Sequence, residues 1–85
     1  MPKSTFTDSY KTMIDLLLAA RRSAGVTQVE LSKRLGKPQP FISNVERGVR
    51  RLDVIEFYAI ARALGADPLE LFSELVSALP KEVRV

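Results

Sequence analysis

Residues 27–48 read TQVELSKRLGKPQPFISNVERG. Thr27 and Glu30 stand at capping-box spacing, in which a hydroxyl and a carboxylate reciprocally satisfy two of the N–H groups that a helix start leaves without partners. Val26 and Leu31 occupy the hydrophobic-staple positions around that box. A helix therefore begins at Thr27 and ends at Leu35, with Gly36 following as its stop. A second short helix is expected over residues 39–47, ended by Gly48. Pro38 stands where a Ser or Thr cap is expected, and Pro40 lies inside the first turn. Each lacks an N–H that would have been orphaned there. Ile42 and Val45 are the strong inward anchors. Pro40, Ser43, Asn44 and Arg47 then point outward, with Gln39 and Phe41 on the flanks.

The same punctuation extends in both directions. Tyr10, Met13, Ile14, Leu17 and Leu18 recur at helical spacing ahead of Gly25, so a first helix is expected over residues 9–24, capped by Asp8 or Ser9. Asp53 and Glu56 form a second box, Leu52 and Phe57 a second staple, and Phe57, Ile60, Ala61 and Leu64 an inner stripe that ends at Gly65. A third box is expected from Asp67 and Glu70, with Pro68 at the first helical position. Phe72, Leu75, Val76 and Leu79 form the stripe of that last helix, which Pro80 stops. Leu71, Leu75 and Ala78 make a second apolar stripe beside Leu69, Phe72 and Val76. One helix of a small domain does not need two apolar faces for its own core, so the surplus stripe Leu71, Leu75 and Ala78 is assigned to a homodimer interface. No segment alternates with period two. The expectation is one all-α domain over residues 1–85, with its core at about 9–79, a loose arm at 1–7 and a tail at 80–85.

Composition narrows the function classes. The 85 residues contain no cysteine, which removes disulfides and thiolate metal sites and points to a reducing, cytoplasmic setting. They contain no histidine, the commonest general base and metal ligand. Paired carboxylates, a Gly-rich phosphate loop and a nucleophile elbow are missing, so neither an enzyme nor a cofactor is expected. No apolar run approaches the roughly 20 residues of a membrane span, and residues 1–10 do not read as a signal peptide. The net charge of +3 is unevenly distributed: residues 1–32 carry +1, residues 33–51 carry +5, and the remainder −3. A basic segment of this kind is the footprint expected of a nucleic-acid surface.

Two short helices around a Gly-containing turn form a helix-turn-helix, whose second helix can enter the major groove while the first crosses the DNA backbone. The amide of Gln28, in the first turn of the first of these helices, suits a phosphate. Asn44 can bond adenine bidentately, Ser43 can bond most bases, and Gln39 can reach a base edge or a phosphate. Arg47, Arg50 and Arg51 follow where the chain would run back past the sugar-phosphate backbone. Phe41 reads first as packing between helices, and Arg62, Lys3 and Lys11 as solvated charges. The alternative from another class is a helical protein–protein interaction module without DNA readout.

The run Thr27-Gln28-Val29-Glu30-Leu31-Ser32, then Leu35-Gly36, Gln39, Ile42-Ser43, Glu46-Arg47-Gly48 and Ile60-Ala61 with Ala63-Leu64 resembles the Cro/repressor-type (XRE-like) helix-turn-helix family. The resemblance spans about residues 16–75 and implies the five-helix lambda-repressor-like fold. It also implies a transcriptional regulator, a repressor acting as a homodimer on palindromic double-stranded DNA. The family includes phage repressors, restriction–modification controllers and antitoxins. No ligand pocket is implied by the sequence, so control is expected through protein level or a partner protein. Carried onto this chain, the base-reading positions fall on Gln39, Pro40, Ser43 and Asn44, and the phosphate positions on Gln28, Arg47, Arg50 and Arg51. An ion pair between Arg21 and Glu46 is implied as well. Pro38 departs from the family's Ser/Thr cap and Pro40 from its small polar reader, which shifts readout toward Ser43 and Asn44.

Overall fold

The computed structural model describes residues 7–85, so residues 1–6 of the expected arm, Lys3 among them, lie outside the described residues. Five α-helices follow one another: α1 (Asp8–Ser23), α2 (Gln28–Arg34), α3 (Phe41–Glu46), α4 (Val54–Ala63) and α5 (Pro68–Ala78). No strand occurs among the described residues, and none of the helices is long and apolar enough to cross a membrane. The fold is therefore all-α, of the five-helix lambda-repressor type.

Each helix starts where a side chain can accept an orphan N–H. Thr7, rather than Asp8 or Ser9, caps α1 by accepting the Tyr10 N–H. Both partners of the Thr27–Glu30 and Asp53–Glu56 boxes engage as expected. At α5 Asp67 accepts the Leu69 N–H, one residue short of Glu70, so the expected third box is a simple cap. With Pro68 filling the first helical position, the next available donor is that of Leu69.

The turn between α2 and α3 is built on Gly36. Its φ of +67° is a left-handed backbone, and the Gly36 and Lys37 N–H groups donate to the carbonyls of Lys33 and Ser32 at 3.0 Å each. This is a Schellman closure. A Cβ at Gly36 would meet nothing within 4 Å, so the requirement is conformational and not steric.

Helix α3 is shorter than residues 39–47, beginning only at Phe41. Gln39 precedes a proline, which disfavours helical backbone there, and Pro40 has no N–H and no capping side chain. The missing cap comes from elsewhere in the sequence. The hydroxyl of Ser32, fully buried on α2, accepts the Ile42 N–H at 3.1 Å.

One core joins all five helices. Ile14 and Leu17 of α1, Leu31 of α2, Phe41, Ile42 and Val45 of α3, and Phe57, Ile60 and Ala61 of α4 are buried. From α5 the buried residues are Leu71 and Leu75. This corrects the expected assignment of that helix: Leu71 and Leu75 belong to the protomer's own core, and Leu69, Phe72 and Val76 are the exposed stripe. Ala78 is exposed near the end of the helix. Both stripes are apolar, and the packing of α5 against α1 and α4 selects between them.

Replacing Ser32 with Ala leaves the buried Ile42 N–H without an acceptor. An unsatisfied buried donor costs about 1–3 kcal/mol. Urea unfolding of Ser32→Ala should lose about that much stability with an unchanged m-value; wild-type stability would show that the bond contributes nothing.

Candidate nucleic-acid interface

The outer face of α3 is defined by its inner one. Ile42 and Val45 are 1% and 2% exposed, which fixes the rotation of the helix about its axis. Gln39 and Pro40 lie exposed ahead of the first turn, Ser43 and Asn44 are half-buried, and Arg47 is exposed at the C-terminal end. The side chains of Gln39 and Ser43 make no hydrogen bond among the described residues. Asn44 differs: its Oδ1 accepts from Arg47 Nη2 at 2.8 Å.

Phe41 is buried, with Lys37 Nζ 5.4 Å and the Arg50 guanidinium 4.8 Å from its ring centroid. It packs into the core beneath these two cations.

Helix α3 is held in place by Glu46, its last residue. Arg21 Nε donates to Glu46 Oε2 at 2.7 Å and Arg21 Nη2 to Oε1 at 3.2 Å, with the two side chains 10% and 9% exposed. Arg21 Nη1 donates to the Val26 carbonyl at 2.9 Å. Gln28 Nε2 donates to Glu46 Oε1 at 2.7 Å. One N–H of the Gln28 amide is thus engaged within the protomer, and the NH2 group carries a second.

The basic segment divides in the same way. Arg34 Nη1 donates to the Ala63 carbonyl at 2.8 Å, tying α2 to the end of α4. Arg50 grips Glu56 with two bonds, of 3.0 and 2.7 Å, and also donates to the Arg51 carbonyl. Its guanidinium therefore braces the α3–α4 loop. Arg51 is exposed with its guanidinium 4.4 Å from the Tyr10 ring centroid. The Tyr10 hydroxyl accepts the Leu52 N–H at 2.6 Å, fixing the loop to α1. Lys37, Arg47 and Arg51 are the exposed cations that flank α3. Sequence reasoning missed Ser32 and Glu56 as parts of this support. A serine facing into the core of an amphipathic helix was the available signal for the first, and nothing in the sequence paired the second with Arg50.

A short helix presented by its neighbour, with polar side chains outward and cations at its flanks, defines a helix-turn-helix DNA-binding protein. Residues 17–71 match the Helix-turn-helix family. A solved XRE-family-like protein from Pseudomonas syringae pv. tomato is 51% identical and superposes with a TM-score of 0.79, covering 85% of this chain and 88% of that one. The chain belongs to the XRE-type helix-turn-helix family, a class of DNA-binding transcriptional regulators and not of enzymes. It is also similar to the uncharacterized HTH-type transcriptional regulator y4dJ of Sinorhizobium fredii, 45% identical over 60% of this chain. Repressor protein C of Rhizobium phage 16-3 is 37% identical over 92% of it. The alignments span 66% of the rhizobial regulator and 28% of the phage repressor.

The bidentate bond from Arg50 holds the Glu56 carboxyl below its ordinary value of 4.5, with the Asp53 N–H adding to the effect. A depressed folded value means that this contribution is fully present above pH 4.5 and disappears as the pH falls through the folded value. Thermal melts of Glu56→Gln should therefore lose less stability than wild type on acidification below that range. Parallel acid limbs for the two proteins would show that Arg50 does not act through this carboxylate.

Proposed function

We propose that this chain is a sequence-specific transcriptional repressor that binds palindromic double-stranded DNA as a homodimer, with α3 in the major groove. The observation that carries the reading is the outer face of α3. Gln39 and Pro40 stand exposed just ahead of α3, and Ser43 and Asn44 lie half-exposed on it, opposite the face locked in the core. In this geometry the start of the second helix reaches base edges. Asn44 and Ser43 are the discriminating residues, with Gln39 assisting from ahead of the helix. Pro40 offers only an apolar surface, suited to a thymine methyl.

Phosphate contacts are assigned to Arg47, Arg51 and Lys37. A guanidinium carries five N–H donors, so the bond from Arg47 to Asn44 leaves others available. Gln28 and Arg50 act from within the protomer, placing α3 and the loop after it.

The homodimer reading rests on the exposed stripe of α5. Leu69 is 77%, Phe72 49% and Val76 55% exposed, and Val54 of α4 lines the same groove as Phe72. The Phe72 ring packs edge-on against Phe57 at 5.9 Å, which roots the stripe in the core. A two-fold pairing through this face would set two α3 helices against successive major grooves, about 34–36 Å apart.

Two experiments test these assignments. In site selection from a random duplex library, Asn44→Ala should lose preference at one base position per half-site, by roughly five- to a hundredfold, while keeping its affinity for random DNA. Identical preferred sites from the two proteins would remove Asn44 from readout. In sedimentation, Phe72→Asp should be a folded monomer where wild type is a dimer, whereas Leu71→Asp should unfold. A dimeric Phe72→Asp would place the interface elsewhere.

A further inference from the structure

We infer that Arg47 is a positioning residue for base readout, fixing which end of the Asn44 amide faces the DNA. The inference rests on the reading of α3 as the groove helix and adds a specificity rule to it.

A guanidinium has donors only, so the amide atom that faces it must be the oxygen. Arg47 Nη2 lies 2.8 Å from Asn44 Oδ1, which sets the amide in one of its two orientations. Residues 44 and 47 are three apart on one helical face, the spacing at which side chains meet. The Arg47 N–H still donates to the Ser43 carbonyl at 3.0 Å, so its backbone remains part of that last turn. The backbone of Asn44 is pinned as well: its carbonyl accepts the Val49 and Arg50 N–H groups at 2.9 and 3.1 Å. These bonds close α3 through Gly48, whose φ is +77°. With the main chain fixed, the two side-chain torsions of Asn44 remain, and the bond to Arg47 restrains both of them, the amide flip included.

The consequence is chemical. With Oδ1 turned to Arg47, Nδ2 is the end without a hydrogen-bond partner among the described residues. A donor matches base edges that present an acceptor: N7 of either purine, O6 of guanine or O4 of thymine. It opposes the N4 amino donor of cytosine. Arg47 thus makes cytosine the disfavoured base opposite Asn44. Without Arg47 the amide can turn over, present its oxygen and accept from cytosine.

Site selection and salt titration on the intact protein test this, using wild type, Arg47→Met, Arg47→Lys and the Asn44→Ala, Arg47→Met double variant. Arg47 is exposed, so the substitutions should fold, and circular dichroism checks that they do. The expected result is that wild type rejects cytosine at one position per half-site by roughly five- to a hundredfold. Arg47→Met should lose most of that rejection at this position alone. Lysine, which is also only a donor, should restore part of it, and the double variant should read that position no differently from Asn44→Ala. A loss of about 0.9 in the log-affinity versus log-salt slope is expected in Arg47→Met if the residue also holds a phosphate. The inference is overturned if Arg47→Met weakens all sequences equally and keeps the wild-type base preferences, because Arg47 is then a phosphate contact alone. If wild type itself selects no sequence, the groove reading fails first, and this inference with it.

Discussion

The arrangement of the DNA-facing helix depends on one carboxylate. Glu46 ends α3 and collects two bonds from Arg21 and one from Gln28. Arg21 also holds the Val26 carbonyl, so a single guanidinium joins the end of α1, the loop after it and the end of α3. Burial of two charges is costly, and an apolar replacement of similar volume would be about as stable. The pair's worth lies in direction. Burial of Ile42 and Val45 sets the rotation of α3, and the directional bidentate bond adds a fixed position along its axis. Loss of either partner would strand the other in a nearly dry site, at a cost of roughly 3–5 kcal/mol.

A second constraint follows from the prolines at 38 and 40. They give the turn a stiff backbone but leave α3 without its own cap. Ser32 supplies the acceptor from α2, and its own carbonyl also receives the Lys37 N–H that closes the Gly36 turn. One buried serine therefore serves both the end of the first helix of the unit and the start of the second. The two helices of the helix-turn-helix are tied at their junction by hydrogen bonds as well as by packing.

The cations illustrate how a charge pattern is redistributed by folding. Six basic residues fall between positions 33 and 51, yet two of them face inward tasks. Arg34 closes the end of α4, and Arg50 braces the loop against Glu56 with Phe41 beneath it. Lys37, Arg47 and Arg51 remain exposed beside α3. The loop between α3 and α4 is tied to α4 by the Arg50–Glu56 pair and to α1 by the Tyr10 hydroxyl.

Much of the fold was legible in the sequence. Caps, glycine stops and helical periodicity are local, so the five helices, their order and the two full capping boxes could be read from neighbouring residues. The outward face of α3 was legible because Ile42 and Val45 leave only one rotation of a short helix. The placing of Arg21 opposite Glu46 came from family resemblance, because the residues lie 25 positions apart. Periodicity could not choose between the two apolar stripes of α5, since Leu71 and Leu75 are chemically equivalent to Leu69 and Val76 for that purpose. Packing against α1 and α4 made the choice and left Phe72 outside. Nor could sequence show that Gln28, Arg34 and Arg50 are engaged within the protomer, or that Arg47 orients Asn44. Local structure is set by residues within about one turn of each other, whereas the partner of a long polar side chain is set by whatever the tertiary fold brings within about 3 Å of its end.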